Sequence, residues 1–185
     1  MSKGRIILDN RRFQLTIDRL CQQLIEDYGD FEESCIVGIQ PRGVPLSDRL
    51  YKRLSDTLGK TSIQYGKLDI TFYRDDFRTR QKPLMANPME MDFLVEDKRV
   101  ILVDDVLYTG RTIQAALTAL QHYGRPLQVK LLALVDRRFN RHLPIQSDYI
   151  GLTVDALDEA YVKVDWGEEE GMDRILLYKN KQESE

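Results

Sequence analysis

Residues 100–112 read VILVDDVLYTGRT, an apolar run that carries two adjacent aspartates and passes into a polar loop around a glycine. The aliphatic residues predict a buried strand over 99–107. Apolar residues then recur at helical spacing and predict a helix from Thr112 to about Tyr123. In sheets of parallel strands, ligands bind beyond the carboxyl ends of the strands, so this strand, loop and helix indicate a binding site.

Strands and helices alternate on both sides of this stretch. Asp9 can cap a first helix, and Pro45 fits the first turn of a second one. The predicted elements are a helix over 10–28, a strand over 35–39, a helix from Pro45 to about 58, an alternating strand over 61–73 with a bulge at Gly66, and strands over 128–136, 149–153, 161–164 and 174–178. This order predicts an α/β fold with a mostly parallel central sheet and helices on both faces.

Three polar segments follow predicted strands, at 40–43, 104–112 and 136–138. Because the carboxyl ends of parallel strands meet at one edge of a sheet, we expect these segments to line a single crevice. Residues 74–98 show no strong periodicity and are longer than an ordinary connection. A long connection of this kind is typical of a lid or a binding segment.

Composition narrows the class of protein. The 185 residues fit one domain over 1–180 and a disordered polar tail over 181–185, and the formal net charge of −3 gives no support to a broad nucleic-acid-binding surface. No apolar run approaches the roughly 18 residues that span a bilayer, and the first residues contain no secretory h-region, so we expect no membrane partner. Cys21 and Cys35 lie in apolar segments and are expected to be buried thiols in a reducing cytoplasm.

The loop before the predicted helix has the chemistry of a phosphate site. A helix start offers unpaired N–H groups and a partial positive charge, Gly110 permits a tight turn, and the hydroxyls of Thr109 and Thr112 add donors. Asp104 and Asp105 would repel a phosphate but suit vicinal hydroxyls, or Mg2+ held directly or through water. Phosphate at one end and a diol at the other predict a ribose 5-phosphate ligand. On composition alone, the two aspartates could instead only cap the next helix.

A family resemblance lies in these same residues. VDDVLYTGRT resembles the 5-phosphoribosyl-1-pyrophosphate (PRPP) signature of the type I phosphoribosyltransferases, in the form typical of the PyrR subgroup, which combines pyrimidine-operon attenuation with uracil phosphoribosyltransferase activity. VGIQPRG, DITFYRDD, LVDRR and LPIQSDYIG match the same subgroup in order and spacing, so the resemblance extends from about Ile7 to Val164. It implies the type I phosphoribosyltransferase fold, with a mobile loop over about 74–98 and a small hood over the base site, formed by about 136–165.

The resemblance implies that uracil and PRPP react to give UMP and pyrophosphate, with Mg2+ as the cofactor. Asp104 and Asp105 would face the ribose diol and hold the metal through water, Arg42 would bind the pyrophosphate, and Arg74 would open the mobile loop. The implied catalytic residues are Asp104, Asp105, Arg42 and Arg74. The implied ligands of PRPP and UMP are Arg42, Gly43, Asp104, Asp105, Val106, Leu107, Tyr108, Thr109, Gly110, Arg111 and Thr112, and the implied base contacts are Asp136, Arg137 and Val162.

Tyr108 stands where many purine-using relatives carry an acidic residue that handles a ring proton. Tyrosine is a poor base near neutral pH, so this residue suits uracil better than a purine. We predict that Tyr108 is not a general base and that Tyr108→Phe retains turnover. Two other functions stay open, namely a purine phosphoribosyltransferase of the same fold and a nucleotide-sensing, RNA-binding regulator with little turnover.

Attenuator members of the subgroup bind an mRNA leader through a basic first helix. The matching helix here offers Arg19, but Asp18 and Asp27 lie beside it and would repel RNA. The best basic cluster is Arg137, Arg138, Arg141 and His142. We therefore predict that binding to an mRNA leader is weakened or absent.

The quaternary structure is also implied by the resemblance. Members of the family usually form dimers or larger assemblies, so we expect a homodimer or a homotetramer. Leu8 or Phe13 could contribute to such an interface.

Overall fold

The computed structural model describes residues 4–59, 63–75, 90–155 and 160–184. Its strands and helices are β1 (Arg5–Leu8), α1 (Asn10–Tyr28), β2 (Ser34–Ile39), α2 (Val44–Leu58), β3 (Gln64–Leu68), β4 (Arg99–Leu107), α3 (Arg111–Leu120), β5 (Gln128–Arg137), β6 (Tyr149–Val154), β7 (Tyr161–Asp165), α4 (Gly167–Glu170) and β8 (Arg174–Tyr178). Short 3-10 turns lie at Thr71–Tyr73, Gln121–Tyr123, Arg138–Asn140 and Gln182–Ser184.

β4 lies at the centre of a five-stranded parallel sheet with the order β3-β2-β4-β5-β6. Its side chains alternate between the two faces. Ile101 and Val103 pack in the core formed with α1 and α2, whereas Val100 and Leu102 pack in the core formed with α3. The predicted α/β fold, with a mostly parallel sheet between helices, is confirmed, and so is the buried strand over 99–107.

The first helix begins where the sequence predicts. Asp9 Oδ1 accepts a hydrogen bond of 2.9 Å from the N–H of Arg12 and so caps α1. The helix then buries its apolar stripe against the sheet. Leu8 and Phe13 belong to this buried core, so the prediction that they contribute to an interface is wrong.

The two cysteines are buried free thiols, as predicted. Burial raises the pKa of Cys21 and of Cys35 to about 12, so neither side chain is a ready nucleophile near neutral pH. None of the helices in the described ranges combines the length and the apolar character needed to cross a membrane.

A second sheet, antiparallel and three-stranded with the order β1-β8-β7, packs beside α1. Trp166 follows β7 and meets Phe13 edge to face, with ring centroids 5.6 Å apart. The boundaries of this sheet differ from the predicted hood over about 136–165, because β6 belongs to the large sheet while β1 and β8 lie outside that range. The tail predicted to be disordered over 181–185 forms a 3-10 turn at Gln182–Ser184.

The strand predicted over 61–73 is shorter than expected and has no bulge. β3 pairs with β2 in unbroken register, from Cys35 opposite Gln64 to Ile39 opposite Leu68. Gly66 serves a different purpose, because a Cβ at this position would lie 2.9 Å from Cγ of Met91. The glycine therefore makes room for a crossing segment.

That crossing segment belongs to the mobile loop predicted over 74–98. Residues 76–89 lie outside the described part of the chain. The backbone of 90–98 is held by β3 and by the 3-10 turn after α3, since Lys67 N–H donates to the carbonyl of Glu90 at 2.9 Å and Val95 N–H donates to the carbonyl of Tyr123 at 2.8 Å. Val95 is also fully buried. The described end of the predicted loop is thus part of the packed fold.

Candidate active site

A cavity of about 670 Å3 opens at the carboxyl ends of β2, β4 and β5. Its walls come from the segments that follow these strands, from the start of α3 and from β7. The lining residues include Gln40, Pro41, Arg42, Arg74, Asp75, Asp104, Asp105, Val106, Leu107, Tyr108, Thr109, Gly110, Arg111, Thr112, Arg137, Tyr161, Val162 and Lys181. The structure therefore brings together in one cavity every predicted site residue except Gly43 and Asp136.

The loop between β4 and α3 forms one end of the cavity. Gly110 is the residue that precedes α3, with a φ of +91°, a conformation that glycine adopts without strain. No side chain in the described ranges caps α3, so the aspartates of β4 do not serve as its cap. Among the described residues, the hydroxyl of Thr109 makes the one side-chain contact with an N–H group of the helix start, and this contact, with Arg111 N–H, is long at 3.4 Å. The N–H groups of the first turn are therefore available to an anion.

The acidic pair lies at the end of β4 and is nearly inaccessible to solvent. Asp104 Oδ1 accepts a hydrogen bond of 3.0 Å from Asp105 N–H, and Asp105 Oδ1 accepts one of 2.7 Å from Val106 N–H. Burial raises the pKa of both carboxyls, and the neighbouring charge of Asp105 raises the pKa of Asp104 further. The positive charge of Arg42 opposes both shifts. Hydroxyl donors or a cation would stabilise the ionised pair.

The donor set fits a hydrated Mg2+ ion rather than a closed protein cage. Within the described ranges, no group of three or more acidic, histidine or cysteine side chains is placed to hold a metal. Two adjacent carboxylates are nevertheless what Mg2+ commonly uses, because this ion keeps several waters and completes its shell with substrate phosphates. Asp104 and Asp105 are the residues that could hold it.

The segment after β2 contributes Arg42 to the cavity wall. Gly43 does not line the cavity, and its role is in packing. A Cβ at this position would lie 2.3 Å from the carbonyl oxygen of Val103 and 2.8 Å from that of Ile39, so only glycine lets α2 start this close to β4. The backbone of Arg42 is thereby held against the strand that carries the acidic pair.

Arg74 and Asp75 line the cavity at the start of the predicted mobile loop. Asp75 forms an ion pair with Arg111, the first residue of α3, and the two side chains are about half exposed, at 53% and 51%. The sequence gives no signal for this pair, because its members are 36 positions apart. The structure therefore adds Asp75 to the neighbourhood of the phosphate loop.

Arg137 and Tyr108 lie together on the base side of the cavity. The guanidinium carbon of Arg137 is 3.9 Å from the ring centroid of Tyr108, which is a close cation–π contact. The carboxylate of Asp136 points elsewhere and forms an ion pair with Arg141, so any contact of Asp136 with a base falls to its backbone. Tyr161 and Lys181 also line the cavity and escape prediction.

The chain matches the family model described as the phosphoribosyl transferase domain over residues 4–169. It is 37% identical over 180 residues to the bifunctional protein PyrR of Bacillus cereus (strain AH820), covering 96% of this chain and 99% of that protein. It is 40% identical over 173 residues to the bifunctional protein PyrR of Haemophilus ducreyi, covering 94% and 96% of the two chains.

Solved structures show the same fold at lower sequence identity. A hypoxanthine phosphoribosyltransferase from Staphylococcus aureus superposes with a TM-score of 0.69 at 22% identity, over 93% of this chain and 90% of that one. The hypoxanthine phosphoribosyltransferase of Trypanosoma cruzi gives a TM-score of 0.69 at 15% identity, over 94% and 95% of the two chains. With a family match over residues 4–169 and relatives aligned over nearly their full length, the chain belongs to the PyrR subgroup of the type I phosphoribosyltransferases.

Proposed function

We propose that this chain transfers the phosphoribosyl group of PRPP to uracil, giving UMP and pyrophosphate. The observation that carries the proposal is the pairing, in one cavity, of an uncapped helix start with a buried acidic pair. The first suits a phosphate monoester and the second suits a ribose diol. The names of the PyrR relatives and the match to the phosphoribosyl transferase domain support the same activity.

In the proposed reaction, the bond from ribose C1 to the pyrophosphate oxygen breaks, and a bond from C1 to the uracil ring nitrogen forms with loss of that nitrogen's proton. The ribose gains positive charge as the pyrophosphate departs. Asp104 and Asp105 accept hydrogen bonds from the ribose hydroxyls and stabilise that charge. The guanidinium of Arg42 binds the departing pyrophosphate oxygens, and the loop 109–112 holds the 5-phosphate so that the reacting atoms stay in line.

Mg2+ belongs to the proposal through the same acidic pair. When bound together with PRPP, the ion neutralises charge on the pyrophosphate. The task of Asp104 and Asp105 is to orient the water shell of the ion, which two ionised carboxylates at adjacent positions can do. A homodimer or homotetramer and a cytoplasmic location remain parts of the proposal, as does the role of Arg74 in closing the mobile loop.

The preference for uracil rests on the base side of the cavity. Tyr108 packs beneath the guanidinium of Arg137 and offers no carboxylate to a purine ring. The alternative of a purine phosphoribosyltransferase remains the second candidate, since the solved structures of similar fold include hypoxanthine phosphoribosyltransferases.

A panel of bases tests the proposal directly. The purified chain is incubated with labelled PRPP, Mg2+ and, in separate reactions, uracil, hypoxanthine, guanine or orotate. We expect labelled UMP from uracil and little product from the other three. Product from hypoxanthine or guanine alone would replace uracil with a purine, and no product from any base would contradict an enzymatic role. The doubly neutralised variant Asp104→Asn/Asp105→Asn is the control and should form no UMP.

A further inference from the structure

The segment that follows β5 lies against the phosphate loop. After the 3-10 turn at Arg138–Asn140, the N–H of His142 donates a hydrogen bond of 3.0 Å to the carbonyl of Thr109. Arg141 Nη1 donates to the carbonyl of Tyr108, one residue earlier in the same loop. Two successive residues of one segment thus hold two successive carbonyls of the other.

Arg141 also reaches back to the strand from which its segment departs. Its Nη2 donates to Asp136 Oδ1, and the exposed fractions of the two side chains are 18% and 7%. In the β4–β5 pairing, Asp136 lies opposite Leu107, the last residue of β4. One guanidinium therefore bridges the ends of two neighbouring parallel strands, and its partly buried position makes this bridge directional and costly to break.

We propose that Arg141 is a positioning residue for PRPP. It does not line the cavity, so it acts through the loop that does. By holding the Tyr108 carbonyl, it fixes the direction of the backbone that continues into 109–112, whose N–H groups must converge on one phosphate. Small displacements of such groups weaken binding steeply. This inference rests on the proposed function, because it takes the loop to be the site of the 5-phosphate.

Removing the guanidinium tests the role, and a neighbouring arginine supplies a matched control. Arg138 lies in the same segment but is exposed and pairs with Asp155 at 2.6 Å, away from the loop. We expect Arg141→Gln to raise KM for PRPP about tenfold and to leave kcat within about threefold. Arg141→Lys keeps the charge and should recover part of the loss. Arg138→Gln should match the unaltered chain.

A second variant separates positioning from general stability. Asp136→Asn removes the charge of the ion pair but leaves the bond from Arg141 to the Tyr108 carbonyl. We expect a smaller rise in KM for PRPP than with Arg141→Gln, and a combined effect smaller than the product of the two single effects. KM for uracil should change less than KM for PRPP in every variant. A loss of stability alone would lower the amount of active protein and would not raise KM for PRPP more than KM for uracil.

The dissociation constant of PRPP, measured by calorimetry, keeps this test independent of turnover. If the unaltered chain binds PRPP but forms no UMP, the proposed function fails while the positioning role can still be measured. A tenfold weaker dissociation constant in Arg141→Gln, with Arg138→Gln unchanged, supports the role. Equal affinities for the unaltered chain and Arg141→Gln, or an equal loss in Arg138→Gln, would overturn it.

Discussion

The carboxylate of Asp104 is almost fully buried, and a second buried carboxylate, that of Asp105, follows at the next position. Burial, and then the charge of Asp105, raise the pKa of Asp104 well above its ordinary value of 3.8. An acid whose pKa is higher in the folded chain than in the unfolded chain lowers stability once it is ionised. Stability therefore falls as pH rises from 3.8 through the folded pKa, and the loss is complete above it. Ionised Asp104 thus lowers the stability of the ligand-free protein, while the same carboxylate is proposed to bind the ribose hydroxyls.

Asp104→Asn should consequently stabilise the protein while it impairs function. At pH 8 we expect a melting temperature a few degrees above that of the unaltered chain, because the variant has no charge to bury. The gain should vanish near pH 3, below the ordinary pKa of 3.8, where the aspartate is mostly protonated in both the folded and the unfolded state. PRPP affinity should fall at least about tenfold. Differential scanning calorimetry at several pH values and PRPP titration measure the two effects.

An exposed aspartate of opposite character serves as the control for this experiment. The ion pair with Arg138 lowers the pKa of Asp155, so the charge of Asp155 does not destabilise the fold. Asp155→Asn should therefore not raise the melting temperature. A stabilisation of Asp155→Asn equal to that of Asp104→Asn, or an undiminished gain at pH 3, would refute the burial argument.

Asp75 affects the charge around the phosphate loop. Its ion pair with Arg111 places a negative charge beside the site proposed for the 5-phosphate. We expect Asp75→Asn to bind inorganic phosphate and UMP about two- to fivefold more tightly, since an exposed pair of this kind contributes up to about 1 kcal/mol. Because both side chains are half exposed, the difference should shrink in 1 M salt. Isothermal titration at low and high salt checks this, and weaker phosphate binding in the variant would contradict it.

At the scale of elements, the stretch around β4 could be predicted from sequence because its signals are local. An apolar run, a glycine and helical spacing are all visible within 25 residues. β4 has the predicted bounds, and α3 begins one residue before Thr112 and ends at Leu120, with a 3-10 turn over Gln121–Tyr123 in place of its predicted last turn. Predictions fail where the cause is distant. Gly66 has the pattern of a bulge, but a crossing segment near Met91 is what requires the glycine. β1 has four residues, too few to show a period, and depends on pairing with β8.

Gly110 forms the turn from the phosphate loop into α3, and we expect a side chain at this position to be costly. Gly110 has a φ of +91°, a conformation that residues with a side chain rarely adopt. A Cβ at this position would also lie 3.3 Å from Cδ1 of Ile145. Gly59, after α2, has a φ of +61°, and no atom of the described residues lies within 4 Å of a Cβ there, so Gly59→Ala measures the backbone cost. We expect Gly59→Ala to lose about 1 kcal/mol of stability, and Gly110→Ala to lose about 2–3 kcal/mol together with phosphate affinity.

Urea unfolding of the two glycine variants, together with phosphate titration, distinguishes the two causes. The backbone cost should be common to both variants, whereas contact with Ile145 and loss of phosphate should belong to Gly110→Ala alone. If both variants bind phosphate normally and lose equal stability, the loop tolerates a side chain at Gly110 and the argument for its close packing is wrong.

Across the whole molecule, function depends on contacts that no short stretch reveals. Trp166 joins the small sheet to α1 through Phe13, and Arg49 of α2 lies over the same indole, 4.7 Å from its centroid. Arg49 also donates to Asp173 at 2.7 Å. These partners are more than a hundred positions apart, so the sequence identifies the cavity residues at the end of β4 but not the framework that brings β7 to the other wall.

The internal contacts of the arginines affect the expected binding to RNA. The arginines of the predicted basic cluster are engaged within the protein, since Arg137 lies on Tyr108, Arg138 pairs with Asp155 and Arg141 pairs with Asp136. On the first helix, Arg19 donates to the carbonyls of Ile150 and Gly151, at 3.2 and 2.7 Å. The acids expected to repel RNA are themselves paired, Asp18 with Arg53 and Asp27 with Lys130 at 3.0 Å. Engagement of the arginines is therefore the stronger reason to expect weak binding.

Binding to RNA gives the final prediction. We expect a pyrimidine-operon leader hairpin to bind with a dissociation constant no tighter than about 1 μM at 0.15 M salt, with or without UMP, which is the range of non-specific contacts. Filter binding over a series of salt concentrations measures both affinity and the number of phosphates contacted. A hairpin with a scrambled loop is the control and should bind equally. Submicromolar binding that UMP strengthens, and that Arg138→Gln or Arg19→Gln weakens, would show that these arginines exchange their internal partners for RNA.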